Sequence, residues 1–192
     1  MKIKNRFTTF TAGEAEAITG VSTATQRDWR RHGFLERAND GWTRHDAHSL
    51  ARLLFMRVMQ EQGVGPTRSA PIAPSAALRI EWFALNRDGS IGFVKPEAGS
   101  KLDGKAPEEI KALIEHRGQP IASLIVRPTA TESWLVKWAD GELSLVDDLV
   151  AAVRHIPYER RGAIVAVDLQ HLGEVLAERA GGPLVLVEAS NE

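Results

Sequence analysis

Residues 10–35 read FTAGEAEAITGVSTATQRDWRRHGFL, and this stretch decides the fold of the first part of the chain. Thr11, followed three residues later by Glu14, predicts a capping box at the start of a first helix. Gly20 predicts the end of that helix, because glycine tolerates the left-handed backbone of a helix C-terminus. Ser22 predicts the N-cap of a second helix only two residues later. The spacing therefore predicts two short helices joined by a tight turn.

A hairpin and a third helix are predicted to follow these two helices. The turn residues Asn39, Asp40 and Gly41 are typical of a tight hairpin between Phe34 and Arg44. A third helix is predicted to begin after a capping aspartate and to bury a stripe of apolar side chains. The capping residue is Asp46, and the stripe consists of Leu50, Leu53, Leu54 and Val58. Helix, turn, helix, hairpin and helix together describe a winged helix-turn-helix.

The second helix carries most of the candidate DNA contacts. Trp29 is predicted to face the core, with Thr25 one turn before it, and the polar residues on the other side are available to a major groove. Arginine can fork onto guanine, and glutamine can bond the N6 and N7 edge of adenine. Arg31 and the hairpin residue Arg44 suit phosphates, which set register and give salt-dependent affinity. The predicted DNA-binding residues are Thr23, Gln26, Arg27, Arg30, Arg31 and Arg44.

In their order, these segments resemble the DNA-binding domain of MerR-type regulators. The resembling segments are residues 10–15, 20–22, 27–35 and 41–44, with similarity extending through residues 50–53 to 62–64. The resemblance covers about the first third of the chain. It implies that the second helix reads the major groove and that the hairpin arginine, matching Arg44, contacts the DNA backbone. It also implies DNA contact by Arg27 and Arg30.

The sequence departs from the family pattern at several points. Gln26 stands where the family usually has an apolar residue, and Asp28 stands where it usually has an aromatic one. Asp28 would repel a phosphate, and we expect it to pair with Arg31 or Arg27 instead. No heptad pattern for a long dimerising helix follows Gly63. The metal-sensing cysteines of the family are absent.

The charge of the chain is divided between its two parts. The formal net charge of the 192 residues is −1, but residues 1–70 contain 11 Lys/Arg against 7 Asp/Glu, and residues 71–192 contain 13 against 18. This asymmetry favours a basic part that meets a polyanion and an acidic part that does not. The absence of cysteine excludes disulfides, cysteine-ligated zinc and thiol nucleophiles or sensors. No apolar run approaches the roughly 18 residues of a membrane span, and no secretory signal is present, so we expect a cytoplasmic, nucleoid-associated protein.

The predicted architecture is α+β, a winged helix-turn-helix over residues 1–75 followed by a small mixed α+β domain over residues 76–192. Residues 75–85 favour a helix, residues 121–127 a strand, and Asp168 the N-cap of a helix between two strands. We expect the second domain to dimerise, to bind a small effector or to contact a protein partner. A homodimer is the default, because one short helix reads few base pairs.

The leading functional hypothesis is a sequence-specific transcriptional regulator that binds double-stranded DNA. Two alternatives stay open at this stage: a phage or mobile-element architectural protein for excision or packaging, and a protein-interaction module. We expect no enzymatic activity and no cofactor, because no nucleophile elbow or complete acid–base set occurs. The histidines at 32, 45 and 48 lack the spacing of a metal site, so no metal is expected.

Overall fold

The computed structural model describes residues 2–36, 44–94, 103–115, 121–126 and 132–190. Its first part contains an N-terminal strand of six residues, two strands of two residues each, two short helices and a longer helix. These elements are β1 (Lys2–Phe7), β2 (Phe10–Thr11), α1 (Ala12–Thr19), α2 (Thr23–Arg31), β3 (Arg44–His45) and α3 (Ala47–Glu61). The three predicted helices are confirmed, whereas the hairpin turn at residues 39–41 lies outside the described residues.

The remaining elements alternate between helices and short strands. They are α4 (Pro66–Ser69), α5 (Ala73–Leu85), β4 (Ile91–Phe93), α6 (Pro107–Glu115), α7 (Ile121–Ile125), β5 (Trp134–Lys137), β6 (Leu143–Val146), α8 (Leu149–Arg154), a 3₁₀ turn (Tyr158–Arg160), β7 (Val165–Asp168), α9 (Leu169–Ala180) and β8 (Val185–Ser190). This mixture of helices and sheets is compatible with the predicted α+β class.

The strands form three small sheets within the described residues. Strand β8 lies between β1, to which it is antiparallel, and β4, to which it is parallel. Strand β5 lies between β6 and β7 and is antiparallel to both. Strands β2 and β3 form the third sheet, with Phe10 opposite His45 and Thr11 opposite Arg44. The chain thus brings its first strand next to its last one.

Helix α3 lies at the centre of the core. It packs against α5 and α9, and α5 and α9 also pack against each other. The buried apolar cluster consequently includes Leu50 and Phe55 from α3, Ile80 from α5 and Leu176 from α9. Burial of apolar side chains is continuous from the first part of the chain to the second. The division at residues 75 and 76 stays a prediction.

Two predictions about local structure have different outcomes in the structure. The predicted helix near residues 75–85 is confirmed as α5. The predicted strand over residues 121–127 is wrong, because Ile121–Ile125 forms a helical turn and the Val126 amide donates to the Ala122 carbonyl. Ile121, Ala122 and Val126 are buried, and α7 packs against α5 and α6. A short buried apolar run has the same pattern in a helix and in a strand.

Candidate nucleic-acid interface

Local hydrogen bonds cap the starts of both helices of the helix-turn-helix. The Glu14 amide donates to Thr11 Oγ1 at 3.2 Å, and the Thr11 amide donates to Glu14 Oε2 at 2.6 Å, which completes the predicted capping box. Gly20 follows α1 with a φ of 73°. The Thr25 amide donates to Ser22 Oγ at 3.1 Å, which confirms Ser22 as the N-cap of α2. The predicted helix-turn-helix geometry is therefore present.

One face of α2 is buried, and it includes a residue predicted to be outside. Trp29 is buried as expected, but Gln26 is also fully buried. Gln26 Nε2 donates to the carbonyl oxygens of Ala12 at 3.0 Å and Val21 at 2.8 Å. The prediction that Gln26 faces away from the core is wrong. Gln26 lies three residues before Trp29, and residues at that spacing share a helix face.

The buried amide of Gln26 ties α2 to both α1 and the turn. Its Nε2 donates to the carbonyl of the first residue of α1 and to that of the residue that follows Gly20 in the turn. Its oxygen lies 3.2 Å from His45 Nε2 on β3. The side chain thus has a structural role and no free edge with which to bond adenine.

Arg30 is half-buried and is directed towards β3. Its Nη2 lies 2.8 Å from His45 Nε2, and burial lowers the pKa of the guanidinium. Burial also lowers the pKa of His45 to about 4, and the adjacent charge of Arg30 acts in the same direction. His45 is therefore neutral near pH 7 and can accept a hydrogen bond from Arg30. In this conformation the Arg30 side chain is engaged within the protein, unlike the free base-reading group that the sequence predicts.

The exposed face of α2 is a stripe with helical spacing. Ala24, Arg27, Asp28 and Arg31 are all exposed, at positions separated by three or four residues. Arg31 Nη2 donates to Asp28 Oδ1 at 2.6 Å, so the expected pairing of Asp28 is with Arg31. Ala24 was not among the predicted site residues, although its spacing from Arg27 and Arg31 identifies it. We call these four residues the recognition stripe.

Two arginines of this region, Arg27 and Arg44, have no ion-pair or side-chain hydrogen-bond partner among the described residues. Both are exposed. Arg44 lies opposite Thr11 in the β2–β3 pair. Its charge helps to lower the pKa of Glu14, after the larger effect of the hydrogen bonds with Thr11. Thr23 is half-buried at the start of α2, where its amide donates to Glu16 Oε2 at 2.9 Å.

Residues 10–71 match the MerR HTH family of regulatory proteins. The match covers about one third of the chain and confirms the resemblance of its N-terminal part to a MerR-type helix-turn-helix domain. That domain is the DNA-binding part of transcription regulators. No curated protein shows significant similarity to the chain.

Two histidines of the MerR-type segment, His48 and His32, each lie next to one carboxylate. His48 Nδ1 lies 3.1 Å from Glu81 Oε2 on α5, and His32 Nδ1 lies 3.5 Å from Asp28 Oδ1. No three histidine, aspartate or glutamate residues converge as metal ligands in the portion that the structure describes. None of the helices described is long and apolar enough to cross a membrane.

Proposed function

We propose that this protein is a sequence-specific DNA-binding transcription regulator in which α2 enters the major groove. The observation that carries the proposal is the recognition stripe, an exposed face of α2 within the segment that matches the MerR HTH family. Arg27 projects from the middle of that stripe with no partner in the described residues. A free guanidinium at this position suits the O6 and N7 edge of guanine.

The other members of the proposed interface have different tasks. Arg44 contacts the DNA backbone from the strand beside α1. Ala24 offers a methyl group to a thymine methyl. The Asp28–Arg31 pair keeps the aspartate neutralised beside the phosphates, so that the stripe carries a net positive charge. Thr23 and Arg30 are secondary candidates for DNA contact. Arg30 can reach DNA only if its side chain leaves its hydrogen bond with His45.

The proposal also includes a homodimer, a wing and a regulatory role for residues 76–192. The protein acts as a homodimer, because one short helix reads few base pairs and two half-sites are needed for specificity. The hairpin predicted between Phe34 and Arg44, most of which lies outside the described residues, acts as a wing. Residues 76–192 regulate the DNA-binding part, and the protein acts by binding and not by catalysis. Light scattering of the full chain, free and bound to DNA, tests the dimer.

Fluorescence anisotropy tests the DNA contacts. A target is first selected from a random duplex library, and the affinities of the full chain for the target and for scrambled DNA are measured at several salt concentrations. Arg27→Ala is expected to cost about 1–3 kcal/mol on the target and to relax specificity at one base pair. Arg44→Ala is expected to weaken binding to both duplexes equally. It should also reduce the slope of log affinity against log salt concentration by about one.

Arg154→Ala is the matched control. Arg154 is an exposed arginine on α8, outside the MerR-type segment, and its loss is expected to leave both affinities unchanged. Weak binding that does not depend on salt or sequence would refute the proposed function. Equal affinities of the parent and both interface variants would refute the docking of α2 while leaving DNA binding by another surface.

A further inference from the structure

An open groove lies where α3 meets β7 and α9, away from the recognition stripe. Its volume is about 350 Å³, which is at the lower end of the range for small-molecule sites. Apolar side chains form one wall, namely Leu54 and Val58 from α3 and Leu172 and Val175 from α9. Arg57 and Arg179 also line the groove, one from each of these helices. The site therefore combines an apolar surface with two guanidinium groups.

The same two arginines hold the last turn of α1. Arg57 Nη1 donates to the Thr19 carbonyl at 2.9 Å, and Arg179 Nη1 donates to the Ile18 carbonyl at 3.3 Å. These carbonyls belong to the C-terminal end of α1, which lacks partners within its own helix and carries a partial negative charge. Gly20 follows immediately, and a Cβ there would lie 1.7 Å from Arg57 Nη1. The groove thus shares its cations with the turn of the helix-turn-helix.

The charges of the groove leave one cation without a carboxylate. Arg57 Nε donates to Glu61 Oε1 at 2.7 Å. Asp168 is engaged as the N-cap of α9, where it accepts from the His171 amide at 2.9 Å. Arg179 is exposed and forms no ion pair within the described ranges. Its hydrogen bond to one carbonyl uses one of five donors, so most of its fork is free for an anion.

We propose that this groove binds a small organic monocarboxylate with an apolar body. The carboxylate pairs with Arg179 in the fork geometry that guanidinium groups favour. The apolar body lies against the wall formed by α3 and α9. A carboxylate that binds the free donors of Arg179 draws the guanidinium towards the groove and away from the Ile18 carbonyl, which accepts from Nη1 at 3.3 Å, so binding loosens the end of α1. The groove is thus an effector site coupled to the turn.

Isothermal titration calorimetry on the full chain tests the site without DNA. The probes are phenylacetate and octanoate, and the matched neutral compounds are phenylacetamide and octanamide. We expect saturable binding of at least one carboxylate and none of its amide. Arg179→Gln should weaken that binding about tenfold to a hundredfold, because a charge-assisted pair is lost. Ala166→Phe should abolish it, because Ala166 is an exposed residue lining the groove.

Arg154→Gln controls for the loss of one positive charge and is expected to bind as the parent does. Equal binding of acid and amide would overturn the proposal, as would unchanged affinity in Arg179→Gln. The proposal would also be overturned if neither carboxylate binds at concentrations up to about 10 mM, which corresponds to the weakest useful affinity.

Hydrogen–deuterium exchange tests the coupling and also needs no DNA. The bound carboxylate is expected to raise deuterium uptake in the peptide that spans the end of α1 and the turn, while Arg179→Gln shows no ligand response. Unchanged uptake on saturation would overturn the coupling. An effect on DNA affinity rests on the proposed function, whereas the calorimetry and exchange results do not. Failure of either proposal is therefore distinguishable.

Discussion

Substitution of Gly173 tests a close contact between α5 and α9. Gly173 lies in α9 where it crosses α5, and a Cβ at this position would meet three atoms of α5. It would lie 2.6 Å from Phe83 Cβ, 2.7 Å from the Ile80 carbonyl oxygen and 2.9 Å from the Ala84 nitrogen. Two of these three atoms are backbone, which cannot rotate away. Gly173→Ala therefore requires the two helices to separate.

The expected magnitude follows from two opposing terms. Replacing a helical glycine by alanine gains up to about 1 kcal/mol of helix propensity. Overpacking costs about 1–3 kcal/mol, and we expect the upper end of that range here because α5 and α9 both pack on α3. The net prediction for Gly173→Ala is a loss of about 2 kcal/mol in the free energy of unfolding.

Urea denaturation followed by tryptophan fluorescence measures this loss. A thermal midpoint lower by about 4–8 °C is expected alongside it, given the size of the chain. Gly13→Ala is the matched control, since Gly13 lies in the first turn of α1 with no atom within 4 Å of its Cβ position. Gly13→Ala should be neutral or stabilising by up to about 1 kcal/mol. A Gly173→Ala protein as stable as the parent would refute the close approach of α5 and α9.

Two further predictions concern the MerR-type segment. Gly20→Ala should destabilise the protein by about 1 kcal/mol more than Gly33→Ala in the same urea assay. Alanine is strained at both positions because φ is positive, but only at Gly20 would its Cβ also displace Arg57. Equal losses of stability would show that the Arg57 contact contributes nothing. The pKa of His45 lies below its unfolded value, so the unfolded state binds more protons between about pH 6.5 and 4, and stability falls by up to roughly 3 kcal/mol as the pH drops through that window. His45→Gln should lose this component when unfolding is compared at pH 7 and pH 4.5, and an unchanged pH dependence would contradict it.

Structure that depends only on neighbouring residues is predictable from the sequence of this protein. Four helices begin at a side chain whose oxygen accepts a hydrogen bond from the backbone amide three residues later. These capping residues are Thr11, Ser22, Asp46 and Asp168. Such bonds need only the local backbone, so the side chain and its spacing are sufficient to predict them. The helix-turn-helix and its family resemblance follow from the same local signals.

Burial that depends on a distant segment is not predictable from the local sequence. The sequence predicts Gln26 on the side of α2 that lies away from Trp29 and the core. The carbonyls of Ala12 and Val21, which accept from the side-chain amide of Gln26, make its burial favourable, and Ala12 lies 14 residues away along the chain. The end of the chain likewise decides that residues 2–7 form β1, because β8 supplies their hydrogen-bonding partner.

The helix caps, the two short helices and the excess of basic residues in the first part of the chain follow from the sequence alone. Only the tertiary structure decided which arginines are free. Arg27 projects into solvent, Arg30 turns back to His45, and Arg57 and Arg179 converge on the end of α1. The physical reason is that a guanidinium extends far from its own backbone, and its hydrogen-bonding partners are set by the segments that packing brings within its reach.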